Sequence, residues 1–179
     1  MENDSEKIKK NLFLDNVTDI YQNSDKYQDH LLEQYKVYLE STDRISSRRQ
    51  NANSFFVTIN TALIALVSYM HLGSATSTKY YWLVALAGMA ISYMWYRLIR
   101  SYKDLNDAKF KVIHQIEKKL PLSPFDAEWD LLGRGKDSSI YRPFTHIEIG
   151  IPWVFLVLHI FAFYQSLPWK ILKTFINSN

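Results

Sequence analysis

Three stretches of the chain, Asn51 to Thr78, Tyr80 to Tyr96 and Ile149 to Trp169, contain no Asp, Glu, Lys or Arg. Those four residue types make up 22% of the sequence, so their segregation constrains the fold more than any motif does. The mean hydropathy of -0.19 reads as soluble only because it averages apolar runs with highly charged blocks. Roughly a third of the residues suit hydrocarbon, which excludes most compact soluble enzymes of this length.

The first run, residues 51–72, would reach roughly 33 Å as a helix, enough to cross a hydrocarbon core of about 30 Å. The second, residues 80–99, includes Leu98 and Ile99 if Arg97 extends towards the headgroups. Its ends carry Tyr80, Tyr81 and Trp82 against Tyr93, Trp95 and Tyr96, matching the aromatic belts of membrane interfaces. The third, residues 149–169, opens with Pro152 and Trp153 and closes with Pro168 and Trp169; proline is tolerated in a first helical turn, where its missing amide costs no hydrogen bond. No strand alternation is sustained, so the expected class is all-α with three transmembrane helices.

Orientation follows from the flanking cations. Arg44, Arg48 and Arg49 precede the first run, only Lys79 lies in the 73–79 turn, and Arg97, Arg100, Lys103, Lys109 and Lys111 follow the second. The positive-inside rule puts residues 1–50 and 100–148 in the cytoplasm and the 73–79 turn and the 170–179 tail outside. If 149–169 were instead re-entrant or lay along the surface, Lys170 and Lys173 would be cytoplasmic. No cleavable signal peptide is expected, because the first fifty residues are polar. The formal charge of +3, from 21 interleaved basic and 18 acidic residues, gives no field suited to nucleic acid.

In the cytoplasmic parts, residues 1–24 read as a partly ordered arm with an apolar patch at Ile8, Leu12, Phe13 and Leu14. Lys26 to Gln50 lacks Gly and Pro, so one helix can run into the first span; its narrow stripe of Tyr27, Leu31, Tyr35, Tyr38, Leu39 and Ile45 suits helix packing within or between chains better than cofactor binding. A second helix continues past the other span through Leu105, Phe110, Ile113, Ile116 and Leu120 until Pro121 and Pro124 stop it. Ser123 then resembles the N-cap of a short helix closed by Gly133.

Chemical motifs fail on specific positions. With no cysteine, disulfides, thiolate metal sites and a cysteine nucleophile are excluded. The Gly133 to Asp137 turn is not a phosphate-binding P-loop, since Asp130 stands at the first glycine position and Asp137 follows Lys136; a glycine turn is favoured over an anion nest at Arg134 and Lys136. Asp126, Glu128 and Asp130 lack the glycine and final glutamate of a calcium loop, and His146 and Glu148 lack the cysteine pair of zinc deaminases. We expect no enzyme activity, no metal and no cofactor.

The membrane runs hold polar residues that need partners. Asn53, Ser54, Thr58, Asn60, Thr61 and Ser68 fall on one broad face at about 100° per residue, reading as interhelical contacts or, alternatively, as a pore lining to which His159 could also belong. Ala85, Gly88 and Ser92 form a small-residue stripe suited to close helix packing. His159, near the middle of the third run, reads as a neutral hydrogen-bonded histidine or as a proton-relay or pH-sensing group.

Two stretches carry a family resemblance: Glu33-Gln34-Tyr35-Lys36 through Asp43-Arg44-Ile45-Ser46-Ser47-Arg48-Arg49-Gln50-Asn51-Ala52-Asn53-Ser54-Phe55-Phe56, and Asp126-Ala127-Glu128-Trp129 through Gly133-Arg134-Gly135-Lys136 to Tyr141-Arg142-Pro143-Phe144-Thr145-His146-Ile147-Glu148. With the membrane pattern they make residues 30–165 resemble the RipA family of octameric bacterial inner-membrane proteins. The resemblance implies a homo-octamer in the bacterial cytoplasmic membrane and a link to envelope homeostasis, intracellular growth and virulence; it implies no catalytic residues. The expected partners are other copies of the chain and the lipid bilayer. Tyr35, Tyr38 and Trp129 are expected as interface anchors, and Arg134, Lys136 and Arg142 as contacts to headgroups or an acidic partner. Two other functions fit: a ligand- or pH-gated channel, and a membrane effector of a bacterial defence system.

Overall fold

The computed structural model describes residues 4–15, 21, 24–72, 81–136, 139–141 and 147–167. Within these the chain is all-α, with helices α1 (Asp4–Leu12), α2 (Ser24–Leu72), α3 (Tyr81–Glu117), α4 (Pro124–Leu131) and α5 (Gly150–Ser166) and a tight turn at Gly133–Gly135. α2 runs 49 residues without Gly or Pro, and α3 runs 37 residues. At 1.5 Å per residue they span about 73 and 55 Å, well beyond the hydrocarbon thickness. Both are long and apolar enough to cross a membrane, whereas α5 is apolar but only 17 residues long. The expected 73–79 turn, Pro168 and the 170–179 tail lie outside the described residues.

The chain divides into two compact units, residues 1–49 with 101–144 and residues 50–100 with 145–179. In the first, Leu31, Tyr35, Ile113 and Ile116 form the buried core, surrounded by Leu12, Tyr27, Tyr38, Leu39, Phe110, Val112, Leu120 and Phe125. The three-and-four spacing on α2 and α3 thus produces one apolar seam between them, where full burial of a side chain such as Ile113 contributes about 1.5–3 kcal/mol. The N-terminal patch does order locally: α1 ends with Leu12 on this core, while Leu14 is exposed.

α3 ends at Glu117, four residues ahead of Pro121, and its last turn tightens through Lys119 N–H to Ile116 O (2.9 Å) and Leu120 N–H to Glu117 O (3.0 Å). The residue before a proline resists helical dihedrals, which places the stop upstream of the ring. Leu120 still packs on the core, but from beyond the helix end.

In the second unit, α5 lies against the membrane portions of α2 and α3. Trp95 stacks on Phe56 at 5.8 Å and tilts against Phe155 at 6.0 Å, and Tyr96 meets Trp153 at 5.2 Å. The outward positions of α3 and α5 are mostly apolar, including Leu83, Leu86 and Met94 on α3 and Val154, Val157 and Phe161 on α5. An apolar exterior around a polar interior is the arrangement hydrocarbon demands.

Candidate functional site: buried polar layers

Two polar layers cross the second unit, each drawing one residue from α2, one from α3 and one from α5 or its lead-in turn. In the first, Asn53 Nδ2 donates to Glu148 Oε1 (3.1 Å), and Trp95 Nε1 donates to Asn53 Oδ1 (2.9 Å). In the second, Asn60 Oδ1 accepts from Ser92 Oγ (2.9 Å) and meets His159 Nε2 (3.0 Å), while Asn60 Nδ2 donates to Phe56 O (2.8 Å). Asn53 and Asn60 lie about two helical turns apart on one line of α2, so each presents an amide to the same two neighbours. A side-chain amide suits this place because it donates and accepts without carrying charge.

The expected broad polar face of α2 is therefore two faces. Asn60 is fully buried and Asn53 half-buried, whereas Ser54, Thr58, Thr61 and Ser68 are exposed in the single chain. At 100° per residue the asparagines and the hydroxyls centre about a quarter turn apart, which the looser grouping by sequence merges. Thr58 bonds its own helix, Oγ1 to Ser54 O at 2.9 Å.

The small-residue stripe acts within the chain. Ala85 and Ser92 are buried, and a Cβ on Gly88 would overlap the His159 ring. Only glycine lets the imidazole lie against the α3 backbone there. His159 is thus held by Asn60 on one side and Gly88 on the other.

The first unit has its own polar centre, built on Glu117, which is fully buried. Oε1 accepts from Tyr35 Oη (3.0 Å) and Phe125 N–H (3.0 Å), Oε2 from Asp126 N–H (3.1 Å), and His114 Nδ1 stands 3.7 Å from Oε2. The carboxylate thereby caps the N-terminus of α4, satisfying its free amides and meeting the positive end of its dipole. This replaces the expected cap: Ser123 makes no side-chain cap bond, and its hydroxyl instead donates to Glu117 O at 3.4 Å. Burial, the hydrogen bond to Glu117 and the negative charge of that carboxylate, in that order, push the Tyr35 phenol up to about 12. Burial also raises Tyr38, whose ring carries Lys109 Nζ 4.4 Å from its centroid.

The expected cytoplasmic anchors meet partners inside their own unit. Tyr35 and Tyr38 belong to the α2–α3 seam, and Trp129 packs edge-on to Tyr141 and over Gly135. Gly133, Arg134 and Gly135 all adopt positive φ (63°, 52° and 67°), a left-handed turn that only its central residue enters against a side-chain penalty. Arg134 is steadied there by Asp130 (Nε–Oδ1 2.9 Å) and Asp126 (Nη2–Oδ1 3.3 Å). Its guanidinium is therefore spoken for by acidic groups of the same unit, while Lys136 is exposed; Arg142 and His146 lie outside the described residues. Among the described residues no group of three or more His, Asp or Glu is arranged to hold a metal ion.

Sequence reasoning missed Glu117 and the pairing of Asn53 with Trp95 and Glu148. The seven-residue spacing of the asparagines was the signal for the layers. Glu117 offered none, because its partners are supplied by Tyr35 far upstream and by a helix that begins after an irregular turn.

No curated protein and no solved structure matches the chain significantly. The family model of the octameric membrane proteins matches residues 32–168, a span that includes both polar layers, the Glu117 centre and the left-handed turn. With two candidate spans, an apolar exterior and a match over most of its length, the chain belongs to the octameric membrane protein family.

Proposed function

We propose that the chain is a non-enzymatic subunit of a homo-octamer in the bacterial inner membrane, one that supports envelope homeostasis and adaptation to growth inside host cells. The observation that carries this reading is where the polar groups go: Asn53, Asn60 and Glu117 each join one helix to others. A chain whose buried hydrogen bonds serve helix register is built as a scaffold. The N-terminus is cytoplasmic by the Arg44, Arg48 and Arg49 count, and α5 makes a third crossing. Envelope support and host-cell growth rest on the resemblance to RipA-type proteins. Deleting the gene should increase detergent sensitivity and reduce growth in host cells, with both restored by the wild-type chain. A deletion strain that matches its parent in both assays would contradict the reading.

A second reading, a gated channel, is favoured by the exposed hydroxyls of Thr61 and Ser68 on α2, because hydroxyls facing outward from a span and, among the described residues, not bonded to their own helix suit a neighbouring copy or water. Bilayers that stay silent with fully assembled protein would reject it.

A further inference from the structure

His159 is fully buried in the second unit, and the groups around it fix its protonation. Phe56 O can only accept, so the Asn60 amide turns Nδ2 to it and Oδ1 to Ser92 and His159. Oδ1 can only accept as well, so Nε2 carries the imidazole proton. Nδ1 is then a bare lone pair, and among the described residues it meets no hydrogen-bond partner.

Among the described residues, no charge faces the ring from the elements packed on it. α2 from Asn51 to Ser68 and α3 from Trp82 to Ser92 contain no ionisable side chain. Tyr81 and Tyr93 flank that part of α3, Tyr164 follows His159 by about one and a half turns on α5, and Glu148 belongs to the other layer. A second proton on His159 would therefore create a buried N–H with no acceptor and a charge with no counter-ion. Turning the ring gives no relief, since Asn60 Oδ1 is a single acceptor already shared with Ser92. Both penalties are relieved if the ring leaves its place against Gly88 and reaches water or a headgroup phosphate.

We propose that His159 is a proton-operated latch: the neutral imidazole docks α5 on α2 and α3, and a second proton releases it. This goes beyond a scaffold role, because it gives the assembly a response to acidification, and it leaves the number of copies untouched. The absence of cysteine allows spin labels to be placed at the exposed positions Leu86 on α3 and Val157 on α5. Labelled full-length chain, diluted with unlabelled chain in lipid nanodiscs, is measured by electron–electron distance spectroscopy at about pH 7.5 and about pH 5, a range that brackets histidine titration. The narrow distance seen at the higher pH should be lost reversibly at the lower. His159→Gln, which keeps a donor for Asn60 but cannot gain a charge, should remain docked at both. A wild-type distribution unchanged by pH, or a Gln variant that responds like wild type, would overturn the latch. Should the Gln variant be undocked at both pH values, Asn60→Asp decides. Its carboxylate gives the charged ring a partner, so docking that persists at low pH supports the latch and release as in wild type overturns it.

Discussion

The two units solve the same problem, joining long helices through buried polar groups, with different chemistry. The first unit centres on a full charge: the Glu117 carboxylate is saturated by a phenol and two helix N-terminal amides. The second centres on neutral amides, Asn53 and Asn60, each with one donor and one acceptor engaged. A carboxylate can be buried where a helix dipole and several donors surround it, and removing such a group leaves every donor stranded. In a hydrocarbon setting a neutral amide avoids that desolvation, at the expense of a weaker hold. The two hubs differ in the charge their surroundings can tolerate, and that difference predicts a stronger hold in the first unit.

Glu117→Leu should break the comparison most severely. It strands Tyr35 Oη and the Phe125 and Asp126 amides, and we expect a loss of about 3–5 kcal/mol in stability, seen as early protease cleavage around α4. A change within about 0.5 kcal/mol, the range of an ordinary surface substitution, would mean that packing of Phe125 alone holds α4. Tyr35→Phe should cost about 1.5–3 kcal/mol at neutral pH, the usual worth of a hydrogen bond to a charged group. Gly88→Leu should cost about 1–3 kcal/mol through overpacking against His159, measured as a lower thermal midpoint in nanodiscs.

Tyr35 also sharpens the comparison through pH. Folding raises its proton affinity, so its contribution is full below the ordinary value of 10.0 and is lost as pH rises through about 12. Wild type should therefore lose stability between those values on account of Tyr35, and alkaline melting curves of Tyr35→Phe should be flatter. Asn60→Leu should have the smallest effect, about 1.2 kcal/mol, since its contacts to Ser92 and His159 are each worth about 0.6 kcal/mol between membrane helices. A loss as large as that of Glu117→Leu would erase the distinction between the two hubs.

Much of this architecture is written in the sequence. The uncharged runs located the apolar lengths of α2, α3 and α5, because hydrocarbon excludes unpaired charge over a whole turn-by-turn stretch. The absence of Gly and Pro between Lys26 and Gln50 foretold the unbroken α2. Local rules then ran out where partners come from afar. Ser123 had the right chemistry for an N-cap, yet Glu117 reaches the α4 amides first, and nothing between residues 117 and 124 announces it. The polar face of α2 was visible as composition, but its division into inward asparagines and outward hydroxyls depends on which arc the neighbouring helices cover. Gly88 was recognisable as a packing residue, while its partner, His159, lies on a helix separated from it by the whole 100–148 block.

We propose that eight copies of this chain assemble in the membrane, each held together by these hubs. Native mass spectrometry of the purified chain in lipid nanodiscs tests it most directly. A species of eight copies of the 21.1 kDa chain is expected; a stable monomer or dimer under those conditions would rule this assembly out.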